Sequence, residues 1–447
     1  MGVAFHLPTA PDASGTLTFQ SMNESFLHYI WQHQYFGREN LKTSEGDVIQ
    51  IFKQGFYNNN AGPDFSEAKI KIDSIEWAGS VEIHIKSSDY LQHNHQHDRA
   101  YDNVVLHVVW LDDKPLLRSD GTPMPTLELK NRVSDGLLKE YSKLINSSFQ
   151  IPCSKSFSRI DDLVKVSMIE QAAVQRLQMK SSFIRELYAQ NNGDWEETFY
   201  QVLAKNFGFK VNAEPFLSLA KALPVRSIRK NSNSQLKTEA LLFGMAGFLD
   251  APKGDEYYLS LKKEFEFLVH KYELAENKLH KAQWRFLRLR PANFPTIRLA
   301  ELAALLNRST QMFADVLSSE DAASLRKMFS VEPSSYWVDH YSFGKKSKSA
   351  HGSLGEESIE NILINTVAPM LAAFAYEKGD EIFFERALSL LQQLKPESNA
   401  ITRAWNALGL KAKSAFDSQG LIEQMNSFCK KRNCLNCSVG ASLLKPV

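Results

Sequence analysis

The sequence predicts an α+β protein, in which an N-terminal α/β sandwich with a mixed sheet precedes an all-α multi-helix domain. Short segments of alternating apolar and polar residues, separated by turn-forming clusters such as 58–64, dominate the first part of the chain. From about residue 161 the apolar residues recur instead at helical spacing. The predicted domains are therefore residues 1–150 and 151–447.

The N-terminal elements follow the order helix, strand, strand, strand, helix, strand. Residues 25–36 have apolar side chains at helical spacing, and the polar stretch 89–101 suits a short helix or turn. Residues 47–56 carry apolar side chains on both alternating faces, Val48 and Phe52 on one and Ile49 and Ile51 on the other, which predicts a strand buried on both faces. The remaining predicted strands are 68–72, 77–86, 104–111 and 126–132.

The second domain is expected to contain helices and no strands. The predicted helices are 161–190, 195–207, 214–222, 235–250, 257–273, 275–288, 297–317, 320–330, 356–377, 380–393, 397–409 and 416–429. Helix ends are expected near Gly208, near Gly244 or Gly247, and before Pro291.

Composition suggests a cytoplasmic globular protein. Apolar residues make up 43% and charged residues 23% of the 447, and the net charge is +1. We expect no signal peptide and no apolar run near the roughly 20 residues that span a bilayer. With so small a net charge, any binding of nucleic acid must use a local basic face.

Acidic and basic side chains are concentrated between residues 60 and 112. Glu82, His84 and Lys86 share one face of the predicted strand 77–86, because strand side chains repeat every two residues. Asp64 lies in the loop entering the preceding strand. If these strands pair, Asp64 and Glu82 can ligate Mg or Mn, while His84 or Lys86 positions or activates water.

A histidine-rich segment follows and offers a second metal site. It contains His93, His95, His97, Asp98 and Tyr101. Imidazoles favour transition metals, so these residues could bind zinc, iron or nickel, or they could form a solvated turn. His107 lies within an apolar strand, which favours a core histidine over a ligand.

The N-terminal domain resembles the PD-(D/E)XK nuclease superfamily over residues 24–112. The resemblance rests on the element order, on Pro63-Asp64 and on Glu82-Ile-His84. It implies a restriction-endonuclease-like fold, a nuclease activity and catalytic roles for Asp64, Glu82 and His84. The sequence departs from the pattern at His84, where the superfamily has lysine; Lys86 is on the same face. His97 precedes Tyr101 at the spacing of a Gln–Tyr pair in the DNA-repair branch.

Nearly the whole chain is similar to an uncharacterised bacterial family known by a domain-of-unknown-function label. The stretches that carry this similarity are Ala-Gly-Pro-Asp-Phe (61–65), Gly-Ser-Val-Glu-Ile-His (79–84), Leu-His-Val-Val (106–109), Leu-Arg-Pro-Ala-Asn-Phe-Pro (289–295) and the C-terminal cysteines. That family brings no assigned function.

The chain has four cysteines, Cys153, Cys429, Cys434 and Cys437. Four thiolates match a [4Fe-4S] cluster or a zinc site, and the alternative is four reduced structural thiols. One remote cysteine with a C-terminal triplet resembles the iron–sulfur staple of some DNA-processing nucleases. Since Cys153 follows the α/β domain, such a site would close the helical domain.

Two basic segments are candidate nucleic-acid contacts. Arg285, Arg288 and Arg290 lie among aromatic residues, and Lys430, Lys431 and Arg432 lie within the cysteine triplet. A solvated helix end would explain the first segment equally well. The expected partner is nucleic acid, with DNA favoured.

The leading hypothesis is therefore a divalent-metal-dependent nuclease or nuclease-like DNA-processing protein that hydrolyses phosphodiester bonds. One alternative is a catalytically inactive scaffold that binds nucleic acid or protein. The other is a metal hydrolase that uses His93, His95, His97 and Asp98.

Overall fold

A computed structural model describes residues 22–319, 321–347 and 352–446. The chain forms two compact units, Met1–Met168 with Met425–Val447, and Ile169–Gln424. The first 21 residues of the predicted domain 1–150 lie outside the described residues. The first unit extends past the predicted boundary at residue 150 to Met168, and it also contains the segment from Met425.

The first unit is an α/β structure with a six-stranded mixed sheet. Its elements are α1 Glu24–His33, β1 Ile49–Lys53, β2 Phe56–Tyr57, β3 Phe65–Ile72, β4 Ile75–Lys86, α2 Asp89–Gln92, β5 Val104–Leu111, β6 Thr126–Glu128 and α3 Asp135–Ile145. The fold class predicted for this part of the chain, helices with a mixed sheet, is confirmed.

The sheet changes from antiparallel to parallel at β4. Its order is β1-β3-β4-β5-β6, and β2 pairs with β3. The pairs β1–β3 and β3–β4 are antiparallel, whereas β4–β5 and β5–β6 are parallel. In the β4–β5 register Glu82 is opposite His107, so two predicted polar positions meet at the centre of the sheet.

Helix α1 presents a buried apolar side and a short polar side. The Asn23 side chain accepts a hydrogen bond from the Phe26 backbone N–H and caps the first turn, and the helix ends at Gln34 in a left-handed conformation. Leu27 and Ile30 are fully buried. Glu24 and His28 are one helical turn apart and project on the same side.

The prediction that residues 47–56 form a strand buried on both faces was wrong. The observed strand β1 is shorter, and burial alternates along it: Ile49 and Ile51 are buried, whereas Phe52 is 48% exposed. β1 lies at the end of the sheet order and one of its faces is open to solvent. Its apolar run therefore does not mark a central strand.

From residue 162 onward the described chain is largely helical, as predicted. The helices α4 to α18 are Asp162–Gln190, Trp195–Phe207, Ala213–Ala222, Val225–Arg229, Gln235–Met245, Glu256–Lys271, Pro295–Arg308, Met312–Ser318, Ala322–Phe329, Ser335–Asp339, Glu356–Ile362, Ala368–Lys378, Glu381–Gln393, Ala400–Asn406 and Ala415–Glu423. Helix α19, Ser438–Leu444, belongs to the first unit.

The second unit is not all-α, which corrects the prediction. Two short strands, β7 His340–Ser342 and β8 Lys345–Lys346, form an antiparallel hairpin. Gly344 occupies the turn with φ +67°, a conformation that glycine adopts without a side-chain clash.

The predicted helix 275–288 is absent, and the chain there contains two short 3₁₀ turns, Ala275–Asn277 and Lys281–Gln283. Tertiary contacts account for the difference. The Leu279 N–H donates to the Met245 carbonyl, and the buried Trp284 indole N–H donates to the Ala246 carbonyl. These bonds hold the segment along the end of α8, where a continuous helix could not make them.

One described helix, Glu356–Lys378, has the length and composition of a membrane span, although none was expected from the sequence. A π-helical turn, Leu363–Val367, joins α14 and α15 within it. In its most apolar window 78% of the residues are buried inside the protein, which is also the pattern of a core helix.

We predict that Gly79→Ala lowers the free energy of unfolding by about 1–3 kcal/mol, because overpacking forces the backbone to shift. A Cβ at Gly79 would lie 2.3 Å from the Asn103 carbonyl oxygen and 2.6 Å from Val105 Cγ1. Gly136→Ala is the matched control. A Cβ there meets no atom within 4 Å, and alanine should add roughly 0.5–1 kcal/mol within a helix. Equal urea midpoints for the two variants would contradict this account of β4–β5 packing.

Candidate metal centre

Asp64 and Glu82 are joined directly across β3 and β4. The Asp64 N–H donates to Glu82 Oε2 at 3.1 Å, and the Ile83 N–H donates to Asp64 Oδ2 at 2.9 Å. Glu82 is 4% exposed, so its carboxyl group is largely removed from water. The structure therefore brings together the two carboxylates that the sequence suggested.

His84 lies beside them in the centre of the sheet. It is 1% exposed, and its Nδ1 is 2.9 Å from Nε2 of the fully buried His107. Its Nε2 points the other way and lies 3.0 Å from His93 Nδ1. If Nε2 holds a metal, the ring proton must be on Nδ1, where His107 Nε2 can accept it.

Three imidazoles converge at this point. One ring nitrogen from each of His84, His93 and His95 lies within 4.8 Å of the others. Glu82 Oε1 is 3.4 Å from His95 Nε2 and 3.7 Å from His84 Nε2. The 3.0 Å separation of His84 Nε2 and His93 Nδ1 is that of a hydrogen bond between the rings. Two nitrogens bound to one zinc ion at tetrahedral angles are only slightly farther apart, about 3.3 Å.

The segment after β4 delivers two of these histidines. The residues between Asp89 and Tyr101 form α2 and two 3₁₀ turns, as the polar sequence suggested. His95 begins the first of those turns, and its ring stacks on Tyr101 with centroids 3.9 Å apart. Tyr101 therefore fixes the orientation of His95 as a positioning residue.

Two further site residues come from α1, and the sequence analysis did not identify them. His28 Nε2 lies 3.2 Å from Asp64 Oδ2, although the pair does not have hydrogen-bond angles. Glu24 is half-buried beside His28, His93 and Asp64. The available signal was their spacing of four residues on the polar side of an otherwise apolar helix.

Burial controls the charge of the central groups. Desolvation, followed by the neighbouring Asp64, raises the pKa of Glu82 to about 9. Desolvation and the surrounding histidines lower the pKa of His84 to about 2, and desolvation with His95 lowers that of His107 to about 3. Neutral imidazoles are the form that ligates metals, and a cation bound beside Glu82 would favour the ionised form of its carboxyl group.

Some predicted residues lie outside this cluster. His97 is exposed and does not belong to the histidine trio, and the exposed Asp98 caps the following turn by accepting from the Ala100 N–H. Lys86 is half-buried two positions beyond His84, and its backbone N–H donates to Asp89 Oδ2. His107 is a buried core residue, as expected, and it also contacts His84.

All four cysteines lie in the first unit, whereas the sequence suggested that they close the helical domain. Cys429, Cys434 and Cys437 are buried, and Cys153 is half-buried. The segment from Met425 packs within the first unit, so the cysteine triplet is not part of Ile169–Gln424.

The predicted basic contacts are distributed over both units. Arg285, Arg288 and Arg290 are exposed in the irregular segment of the second unit. Lys430 and Lys431 are exposed in the first unit. Arg432 is half-buried, and its guanidinium donates to the Cys429 and Ser147 carbonyls, which is a structural role.

The donor set of the N-terminal centre suits a divalent cation that accepts both oxygen and nitrogen ligands. His84, His93 and His95 could supply nitrogen. Glu82, whose Oε1 lies within 3.7 Å of His84 Nε2 and His95 Nε2, could supply oxygen, with Asp64 adjacent. Such a mixed set fits manganese, iron or zinc better than magnesium, which prefers oxygen ligands.

No curated protein and no solved structure matches the chain. A family profile matches residues 24–400, which include the acid–histidine cluster and most of the helical unit. The chain therefore belongs to the family described as "Protein of unknown function (DUF2851)".

Proposed function

We propose that this protein is a divalent-metal-dependent phosphodiester hydrolase that acts on nucleic acid, with DNA as the favoured substrate. The observation that carries the proposal is the convergence of Asp64 and Glu82 with three imidazoles beside a mixed sheet, where that of His84 is buried, that of His95 half-buried and that of His93 exposed. A plain scaffold seldom buries carboxyl and imidazole groups together without a cation.

The arrangement of elements supports a relation to the PD-(D/E)XK nucleases. Helix α1 precedes three antiparallel strands of the sheet, β1, β3 and β4, and β5 then adds parallel to β4. Asp64 stands just before β3, and Glu82 and His84 lie on β4. These are the residues and the order on which the sequence resemblance rests.

Glu82, His84, His93 and His95 would hold the metal, with Asp64 beside them. A bound divalent cation lowers the pKa of its water and offsets negative charge on the scissile phosphate. Of the two ions predicted from the sequence, magnesium and manganese, manganese suits this donor set better, because it accepts carboxylate and imidazole ligands.

The surrounding residues position these ligands and handle protons. With a metal on His84 Nε2, His107 Nε2 would accept from the His84 Nδ1–H and so fix the ring, and Tyr101 fixes His95 by stacking. His28, 3.2 Å from Asp64, is placed to hold a proton at the edge of the site. His84 cannot supply the positive charge of the superfamily's lysine, since burial keeps it neutral.

Cleavage of labelled single- and double-stranded DNA and RNA by the full chain tests the proposal. The reaction is run with Mn²⁺, Mg²⁺, Zn²⁺ or EDTA. We expect cleavage with Mn²⁺ that EDTA abolishes and that exceeds cleavage with Mg²⁺. Binding without cleavage under any metal condition would favour the scaffold alternative instead.

A histidine-based metal hydrolase of another substrate class is the second candidate, because the trio His84, His93 and His95 is itself a transition-metal ligand set. It differs from the sequence-based version, which used His97 and Asp98. Hydrolysis of small esters with Zn²⁺, in the absence of nucleic-acid cleavage, would support this candidate.

If the arginine segment of the second unit contacts phosphate, we predict that Arg285→Ala combined with Arg290→Ala weakens DNA binding. Neutralising two phosphate contacts should reduce the slope of log affinity against log salt by about 1 to 2. Arg403→Ala removes another exposed arginine of the same unit and is the control. Fluorescence anisotropy across a salt series measures the slope; identical slopes for both proteins would exclude this contact.

A further inference from the structure

The four cysteines occupy two places in the first unit that are far apart in sequence. Cys153 follows α3, and the other three lie between the end of the helical region and α19. All four are among the described residues, and no disulfide joins any of them. Free thiols grouped in this way, in a protein that has few cysteines, suggest that they share a chemical role.

Hydrogen bonds from the Arg432 side chain and a contact between two helices hold the C-terminal cysteines near the loop that carries Cys153. The Arg432 guanidinium donates to the Ser147 carbonyl at 2.5 Å and to the Cys429 carbonyl at 3.2 Å, which links the triplet to the loop before Cys153. Helix α19 packs against α3. The C-terminal segment is thereby fixed beside the chain that carries the fourth cysteine.

The loop of the triplet is folded tightly around its cysteines. The Cys437 N–H donates to the Cys434 carbonyl at 3.3 Å, and Arg432 adopts a left-handed conformation with φ +56°. A Cβ at Gly440 would lie 2.0 Å from the Cys434 carbonyl oxygen, so only glycine allows this approach. Cys434 belongs to the apolar cluster that also contains Tyr141, and Cys153 packs against that cluster.

Burial is the main influence on the pKa of two of these thiols. Burial raises the pKa of Cys153 to about 12, with further contributions from Cys437 and Cys434. Burial raises the pKa of Cys434 to about 11, and Cys437 adds to the effect. Neighbouring thiolates repel one another in an apolar site, and a thiophilic cation removes that repulsion by ligating them.

We propose that Cys153, Cys429, Cys434 and Cys437 together bind one thiophilic metal centre, which fastens the C-terminal segment to the α/β unit. Four cysteine thiolates are the ligand set both of a structural zinc ion and of an iron–sulfur cluster. This site is separate from the histidine centre and does not depend on the proposed nuclease activity. Its role is structural, since metal binding that requires the folded arrangement stabilises it.

The test is elemental analysis of the anaerobically purified full chain, with a visible spectrum. We expect either about one zinc or about four iron with an absorption band of a thiolate-bound cluster. Cys153→Ser and Cys434→Ser should each lose that metal. Ser154→Ala, next to Cys153, and His95→Ala should each retain it. Zinc and iron distinguish the two kinds of centre, and either supports the proposal.

Wild-type protein without zinc or iron would overturn the proposal, as would a metal that both cysteine variants retain. If the serine variants fail to fold, as judged by circular dichroism, a mercurial thiol reagent is titrated into the wild-type protein. Stoichiometric release of the metal then supports cysteine ligation. Release that does not follow thiol modification contradicts it.

Discussion

Replacing His95 by alanine is expected to weaken Mn²⁺ binding by about 100-fold or more, since loss even of an outer partner of a metal ligand typically costs 10–100-fold. His95 Nε2 lies 3.4 Å from Glu82 Oε1 and belongs to the three-imidazole group. Isothermal titration with Mn²⁺ measures the dissociation constant. Manganese is suitable because it prefers oxygen and nitrogen ligands to thiolates.

His97→Ala is the matched control for this experiment. His97 is two residues away in the same 3₁₀ turn, yet it is exposed and outside the trio. The sequence alone did not distinguish the two histidines. We expect His97→Ala to bind Mn²⁺ as the wild type does. Equal losses in both variants would indicate a disturbed loop, and no loss in either would contradict the histidine centre.

Glu82→Gln is expected to reduce metal-dependent DNA cleavage by at least about 100-fold, equivalent to about 2.7 kcal/mol in the activation free energy. The substitution keeps the shape of the side chain but removes the carboxyl group that can lose its proton and become an anionic ligand when a cation binds. Because an amide oxygen still accepts the Asp64 N–H, the strand contact should survive and the protein should remain folded. Cleavage rates at saturating Mn²⁺ measure the effect.

Glu76→Gln provides the comparison on the same strand. Glu76 is exposed near the start of β4 and pairs with Lys69 at 3.1 Å, a surface contact of small energetic value. Its substitution should leave the cleavage rate unchanged. If Glu82→Gln cleaves DNA as fast as Glu76→Gln does, Glu82 has no part in the reaction.

Local sequence patterns correctly predicted those helices and strands that form mainly because of their own side chains. The helix Trp195–Phe207 matches its predicted bounds, and β5 matches its apolar run. The sequence pattern gave wrong predictions where tertiary contacts determine the local structure. Residues 275–288 follow the end of α8 instead of forming a helix, and the apolar strand β1 is half-exposed at the end of the sheet order.

The candidate site was predictable in part for the same reason. Strand periodicity places Glu82 and His84 on one face, and the turn before β3 brings Asp64 to them. Helix α1 is far in sequence from the other site residues and is brought to them only by the tertiary fold. The local sequence around Glu24 and His28 therefore did not identify them as site residues. Which histidines of the segment 93–97 point inward depends on its two 3₁₀ turns, which alternation alone did not reveal.

Anomalous diffraction from crystals soaked in Mn²⁺ tests the central claim most directly. The account predicts one strong peak bounded by the Glu82 carboxylate and by ring nitrogens of His84, His93 and His95, and its absence in crystals of His95→Ala. A wild-type map without a peak among these four side chains, at a Mn²⁺ concentration that supports activity or saturates binding, would contradict the account.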